Sequence, residues 1–181
     1  MNLPPNLGQW LIETGPSNDE LFDLEAEWDG PELDSALIEI LFNWDDLTDS
    51  QPAANANWLI WTVFGDPFFL QHRKLDHGQT AILIAGCETV TRSIPRLHAP
   101  DQPMENGFFM LWDLYPDGGQ TAIDALERLL EHSDSRVQYA ALHGLGHRHE
   151  ARIPVLQNFI KNNPDLADED FIKQCIDGTV M

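Results

Sequence analysis

Lysine and arginine are absent from the first 70 residues of this chain, where 14 acidic residues fall; the other 111 residues hold the remaining 16 acids and all 10 bases. The net charge is therefore −14 before residue 71 and −6 after it, −20 in all. Phosphate backbones and anionic membranes are both bound through positive charge, so direct binding to nucleic acid or to a membrane surface is not expected. Cysteine is scarce too. Cys87 and Cys175 stand far apart and match no metal-binding or redox spacing, which predicts two reduced, structural thiols in a cytosolic protein. No apolar run approaches the ~20 residues that a membrane helix needs. The N-terminal MNLPPNLGQWLIETG lacks the basic start and continuous apolar core of a secretion signal. Together these absences predict a soluble, cytoplasmic protein. Neither a phosphate loop of the form G-x-x-x-x-G-K-[ST] nor a G-x-S-x-G elbow occurs, and no cofactor is expected.

Apolar residues make up 43% of the chain, with six Trp and nine Phe, whereas disordered acidic chains are poor in aromatics. At 181 residues the chain reads as a single domain, 1–181, large enough for a sizeable core. Its uneven charge admits two readings. One is an acidic surface kept for solubility; the other is a face that meets a basic partner, since complementary fields speed encounter and suppress wrong partners.

Periodicity predicts helices along most of the chain. Residues 1–18, with Pro and Gly around Trp10-Leu11-Ile12, read as an arm lying on the body. Asn18-Asp19-Glu20 suits the cap of a helix running to Trp28. Over 31–47, Leu33, Leu37, Ile40, Leu41 and Trp44 recur at helical spacing, and Asp45, Asp46 and Asp49 then crowd the negative end of that helix. Such a cluster either awaits a cation or is a solvated turn. Residues 53–64 read as a buried helix, with a strand as the alternative for 58–64. Gly-Gln-Thr-Ala-Ile occurs at 78–82 and again at 119–123, a separation of 41 residues that falls within the period of helical-repeat arrays. Each copy opens a predicted helix, 80–91 and 121–131, with Thr80 or Thr121 at its cap, although 81–85 would also suit a buried strand. Asp124 and Arg128 are spaced for an i, i+4 pair. Residues 93–107, with three prolines, read as a long loop, 107–115 as a helix, and 168–176 as a last short helix with Phe171, Ile172 and Cys175 inward.

The clearest pattern is 133–160. Val137, Ala140, Ala141, Gly144 and Leu145 share a face of small residues, and Gly144 and Gly146 read as the place where that helix weakens and turns. Ile153, Leu156, Phe159 and Ile160 line a second helix with Pro154 in its first turn. Asp134-x-x-Val137-x-x-Ala140-Ala141-Leu142-x-x-Leu145-Gly146, followed by Ala151-x-x-Pro154-x-Leu156, resembles a HEAT repeat of the phycobilisome-lyase-like subtype. The resemblance implies an all-α fold, a short α-solenoid of stacked antiparallel helix hairpins. The pairs would be 54–64 with 80–91, 107–115 with 121–131, and 135–145 with 150–161, giving HEAT-like pairs and a C-terminal cap helix over 53–181 and an irregular acidic part over 1–52. It implies an interaction surface rather than a reaction.

One group of residues has the chemistry for a metal: His143, His147, His149 and Glu150. Because Gly144 and Gly146 are expected to interrupt the helix, the two rings at i, i+4 need not share a face, and a solvated turn rather than a metal site is expected. HEAT-like deoxyhypusine hydroxylases hold iron through His-Glu pairs on several repeats; this chain has one pair, His149-Glu150, so the resemblance does not extend to that activity. HEAT-like DNA glycosylases need a basic groove, which the excess of negative charge disfavours. The function expected is a non-catalytic protein-binding module, most concretely an acidic inhibitor or immunity protein that neutralises a basic toxin or nuclease. Asp23, Glu25, Glu27, Asp29, Asp45, Asp46 and Asp49 would stand in for phosphates, with Trp28 and Trp44 as anchors, although core packing is the better reading for either Trp alone. The alternatives are a metal-dependent hydrolase or HEAT-like lyase using the His143 to Glu150 cluster, or a scaffold subunit of a larger complex.

Overall fold

The computed structural model describes residues 6–14, 31–64, 75–99, 101–114, 119–148, 152–166 and 169–180. Among them the chain is all-helical and contains no strand. In order the helices are α1 (Leu7–Thr14), α2 (Pro31–Phe42), α3 (Trp44–Thr48), α4 (Ala53–Phe64), α5 (His77–Arg92), α6 (Ile94–Leu97), α7 (Asn106–Leu114), α8 (Gly119–Leu130), α9 (Ser135–Gly146), α10 (Ile153–Asn162) and α11 (Asp170–Asp177), with a 3₁₀ turn at Pro164–Leu166. No helix among the described residues is long and apolar enough to cross a membrane.

Several predicted elements take a different form. The N-terminal arm is a helix, because Leu7, Leu11 and Ile12 fall on one face and all are buried. The helix predicted for 19–28 lies outside the described residues. The single helix predicted for 31–47 is two, broken at Asn43, so Asp45 and Asp46 occupy the first turn of α3 rather than the end of α2. Both strand alternatives give way to helices α4 and α5. The cap of α5 is Asp76, not Thr80: its carboxylate accepts from the Gln79 N–H while the Gln79 side chain accepts from the Asp76 N–H, a reciprocal capping box. Asp134 caps α9, its carboxylate accepting from the Arg136 N–H. Residues 93–107 are less irregular than predicted. They hold α6, and the Arg136 guanidinium donates to the carbonyls of His98 and Ala99.

Two files of helices, α1–α4–α7 and α2–α5–α8, converge on α9, which packs on both α7 and α8 and also touches α11. The consecutive pairs expected from the sequence are thus not the closest neighbours; α4 packs chiefly on α7, and α5 on α2 and α8. The two copies of Gly-Gln-Thr-Ala-Ile therefore open helices that lie side by side. Across that contact Glu88 on α5 accepts from Arg128 on α8 at 2.6 Å and from Arg92 at 2.8 Å. Burial pushes Glu88 upward, but the hydrogen bonds and charges of the two arginines together outweigh it and hold the carboxyl below its usual range. Arg128 thus answers Glu88, while Asp124, its expected partner, accepts from Gln120.

One continuous core runs from Leu7 to Val180. Trp44 and Trp112 are its largest members, and each indole N–H keeps a partner, Ser93 Oγ at 2.9 Å and Thr91 Oγ1 at 3.0 Å. Cys87 and Cys175 are both free and buried, and burial pushes each thiol up to about 12, which leaves them protonated and inert. Gly144 does not interrupt α9, whose last residue is Gly146. They are needed for close approach: a Cβ at 144 would lie 2.6 Å from Trp112 Cβ, and one at 146 would lie 2.6 Å from Val180.

Candidate functional site

The first group of candidate residues lies at the α2–α3 junction. Asp45, Asp46 and Asp49 are exposed and line a depression of about 550 Å³ together with Thr89, Arg92, Ser93 and Arg96. Two arginines from α5 and α6 therefore face the acids already. Arg96 Nη2 sits 2.9 Å from Asp45 Oδ1, and the same guanidinium donates to Thr48 Oγ1 at 2.8 Å and to the Thr48 carbonyl at 3.2 Å. Exposed pairs of this kind contribute at most ~1 kcal/mol. Asp46 also borders a second groove, of about 520 Å³, between α1 and the α2–α3 segment. Trp44, proposed from the sequence as a surface anchor, is 1% exposed and belongs to the core. The exposed aromatic here is Phe42, at 73%. Its position at the end of α2 gave no signal, because it reads as one more apolar residue of that helix. Asp23, Glu25, Glu27, Trp28 and Asp29 lie outside the described residues.

The second group is built between α7 and α9. Because Gly144 lets α9 press against Trp112, the neighbours of these two residues, His143 and Asp113, are brought face to face. His143 is fully buried. Its ring stacks on Phe109 with centroids 3.9 Å apart, and Nδ1 donates to the Phe109 carbonyl at 3.0 Å, the tautomer which leaves Nε2 with its lone pair. That Nε2 lies 3.5 Å from Asp113 Oδ2 and 3.3 Å from His147 Nε2, while His147 Nε2 lies 3.2 Å from Asp113 Oδ1. The two rings thus do share a face, contrary to the sequence reading, because the helix is continuous through Gly144. His149 and Glu150, the other two members of the sequence cluster, lie outside the described residues.

Electrostatics sets this second group apart. Both oxygens of Asp113 are buried, and neither receives a hydrogen bond among the described residues. Burial is the main influence on its carboxyl and pushes it up to about 7, against the pull of the Arg148 charge. Arg148 Nη2 is spent on the Trp112 carbonyl at 3.1 Å. Burial, and then Arg148, hold His147 below its usual value, so that ring is neutral at pH 7. In another buried histidine, His98, Nδ1 donates to the Ile94 carbonyl and Nε2 accepts from the Glu105 N–H. Asp113 was missed in the sequence, where it is only an acid after the apolar run Phe108-Phe109-Met110-Leu111-Trp112.

No family model matches the chain, and neither a curated protein nor a solved structure matches it significantly.

Proposed function

We propose that the chain is a non-catalytic protein-binding module of HEAT-like helical repeats whose acidic face, at the α2–α3 junction, engages a basic protein. The most concrete form is an inhibitor or immunity protein that occupies the cationic cleft of a toxin or nuclease. The observation that carries the reading is that Phe42, Asp45, Asp46 and Asp49, close together in sequence, are all exposed within a 70-residue stretch that has no lysine or arginine. An exposed aromatic would supply apolar contact area and the exposed carboxylates orientation, the usual division between an interface anchor and its polar rim. Phe42 takes the anchor role that the sequence had suggested for Trp44. The repeat character is supported by the side-by-side packing of α5 and α8, whose opening residues recur 41 positions apart.

The test is affinity capture by the native protein and by a variant carrying Phe42→Ser, Asp45→Asn, Asp46→Asn and Asp49→Asn. The expected result is a basic protein retained by the native form, lost from the variant, and released as salt screens the contact. Equal retention of the same proteins by both forms would overturn the reading.

A further inference from the structure

We infer that Asp113, His143 and His147 form a binding site for a divalent transition-metal ion of the zinc class, which fastens α7 to α9. This goes beyond the proposed function and does not depend on it.

Three features of the site fit a metal ion. The first is convergence: one ligand atom from each side chain lies within 4.8 Å of the others, so all three fit around one ion. The second is spacing. Zinc bonds of about 2.0–2.1 Å in tetrahedral geometry put neighbouring ligand atoms about 3.3–3.4 Å apart. An octahedral ion with bonds of the same length would draw adjacent ligands to about 2.9 Å. The separations here are 3.2, 3.3 and 3.5 Å, which favours the four-coordinate ion. Since the two contacts of the carboxylate use different oxygens, a small rotation of that group is needed to present one of them to the ion.

The third feature is the support around the ligands. Histidines that bind metals commonly donate their other ring N–H to a carbonyl or carboxylate, which fixes the tautomer and aims the lone pair. His143 does this through Nδ1 and the Phe109 carbonyl. Its ring plane is fixed by the stacked Phe109, and Phe171 stands nearby with Tyr139 stacked on it in turn. Meanwhile both oxygens of Asp113 are buried without a hydrogen bond among the described residues, a state that is costly for a carboxylate unless a cation answers it. The charge of Arg148 acts on Asp113, and its Nη2 donates to the Trp112 carbonyl. Two imidazoles and a carboxylate suit zinc, and three protein ligands leave a fourth position for water or another group on the side of His147, the least buried of the three.

The experiment uses tag-free protein stripped with a chelator and titrated with zinc chloride, followed by calorimetry and thermal unfolding, with cobalt(II) absorption as a report on geometry. Native protein should take up one zinc per chain, melt at a higher temperature with zinc than without, and show the strong visible bands of four-coordinate cobalt. Asp113→Asn and His147→Gln, which nearly preserve volume, should each weaken zinc binding at least tenfold while the apo proteins remain folded. Absence of stoichiometric uptake by the native protein, or uptake that neither variant weakens, would overturn the assignment.

Discussion

At the α2–α3 junction, Asp45, Asp46 and Asp49 keep their carboxylates at the surface with two arginines lining the same depression, whereas Asp113 holds its carboxylate between two helices, within 3.5 Å of two imidazoles. An exposed acid costs the fold almost nothing, so its arrangement is free to serve an external partner. A buried acid costs the fold unless protonated or matched by a cation, so its arrangement has an internal explanation or none. The comparison separates two things that a count of acids merges. The charge of −20 describes a surface, while the carboxylate with the strongest chemical demands is inside.

The largest way to disturb this contrast is to separate α7 from α9. A Cβ at position 144 would meet Trp112 Cβ at 2.6 Å, so Gly144→Val forces the helices apart at the point that aligns Asp113 with His143. The expected loss is about 3 kcal/mol, or roughly 6–12 °C in Tm for a domain of this size, measured by thermal unfolding, with zinc uptake lost as well. Unchanged melting would mean that the approach is not tight.

A smaller and more selective effect comes from pH. With its carboxyl pushed up to about 7, Asp113 carries a proton below that pH, which an incoming ion must displace. Zinc affinity is therefore expected to fall as pH drops through about 7 and to level off above it, the fall near pH 7 reporting the proton released from Asp113. His147, held below its usual value, adds nothing to this fall near pH 7. Calorimetric titrations at several pH values check the fall, and Asp113→Asn should remove it.

The smallest effect belongs to the surface. Arg96→Gln removes the partner of Asp45 and a donor to Thr48. It should cost no more than about 1 kcal/mol while making the acidic face more negative. Binding of a basic partner at low salt is then expected to strengthen, and weaker binding would show that Arg96 belongs to the contact.

Much of the helix inventory was legible because it rests on local signals: the 3.6-residue recurrence in 31–44, the apolar run of 53–64, Asp134 before α9 and Pro154 in α10. The candidate site was half legible. His143 and His147 stand out at i, i+4, but Gly144 was misread as a helix breaker, since its role, giving Trp112 room, depends on a helix far away in sequence. Asp113 left no local trace at all, and its nearness to His143 follows only from how α7 meets α9. Trp44 and Phe42 show the same limit. Both sit near the α2–α3 junction, and only the break at Asn43 and the packing of α3 decide which turns inward.

We propose that binding of a partner protein belongs to the acidic face and not to the buried cluster. The most direct test is a titration of the captured basic protein, once purified, against the native chain, the Asp45→Asn, Asp46→Asn, Asp49→Asn triple variant, and Asp113→Asn. The triple variant should bind at least tenfold more weakly while Asp113→Asn binds like the native chain. If Asp113→Asn loses binding and the triple variant keeps it, the assignment of function to the surface is wrong.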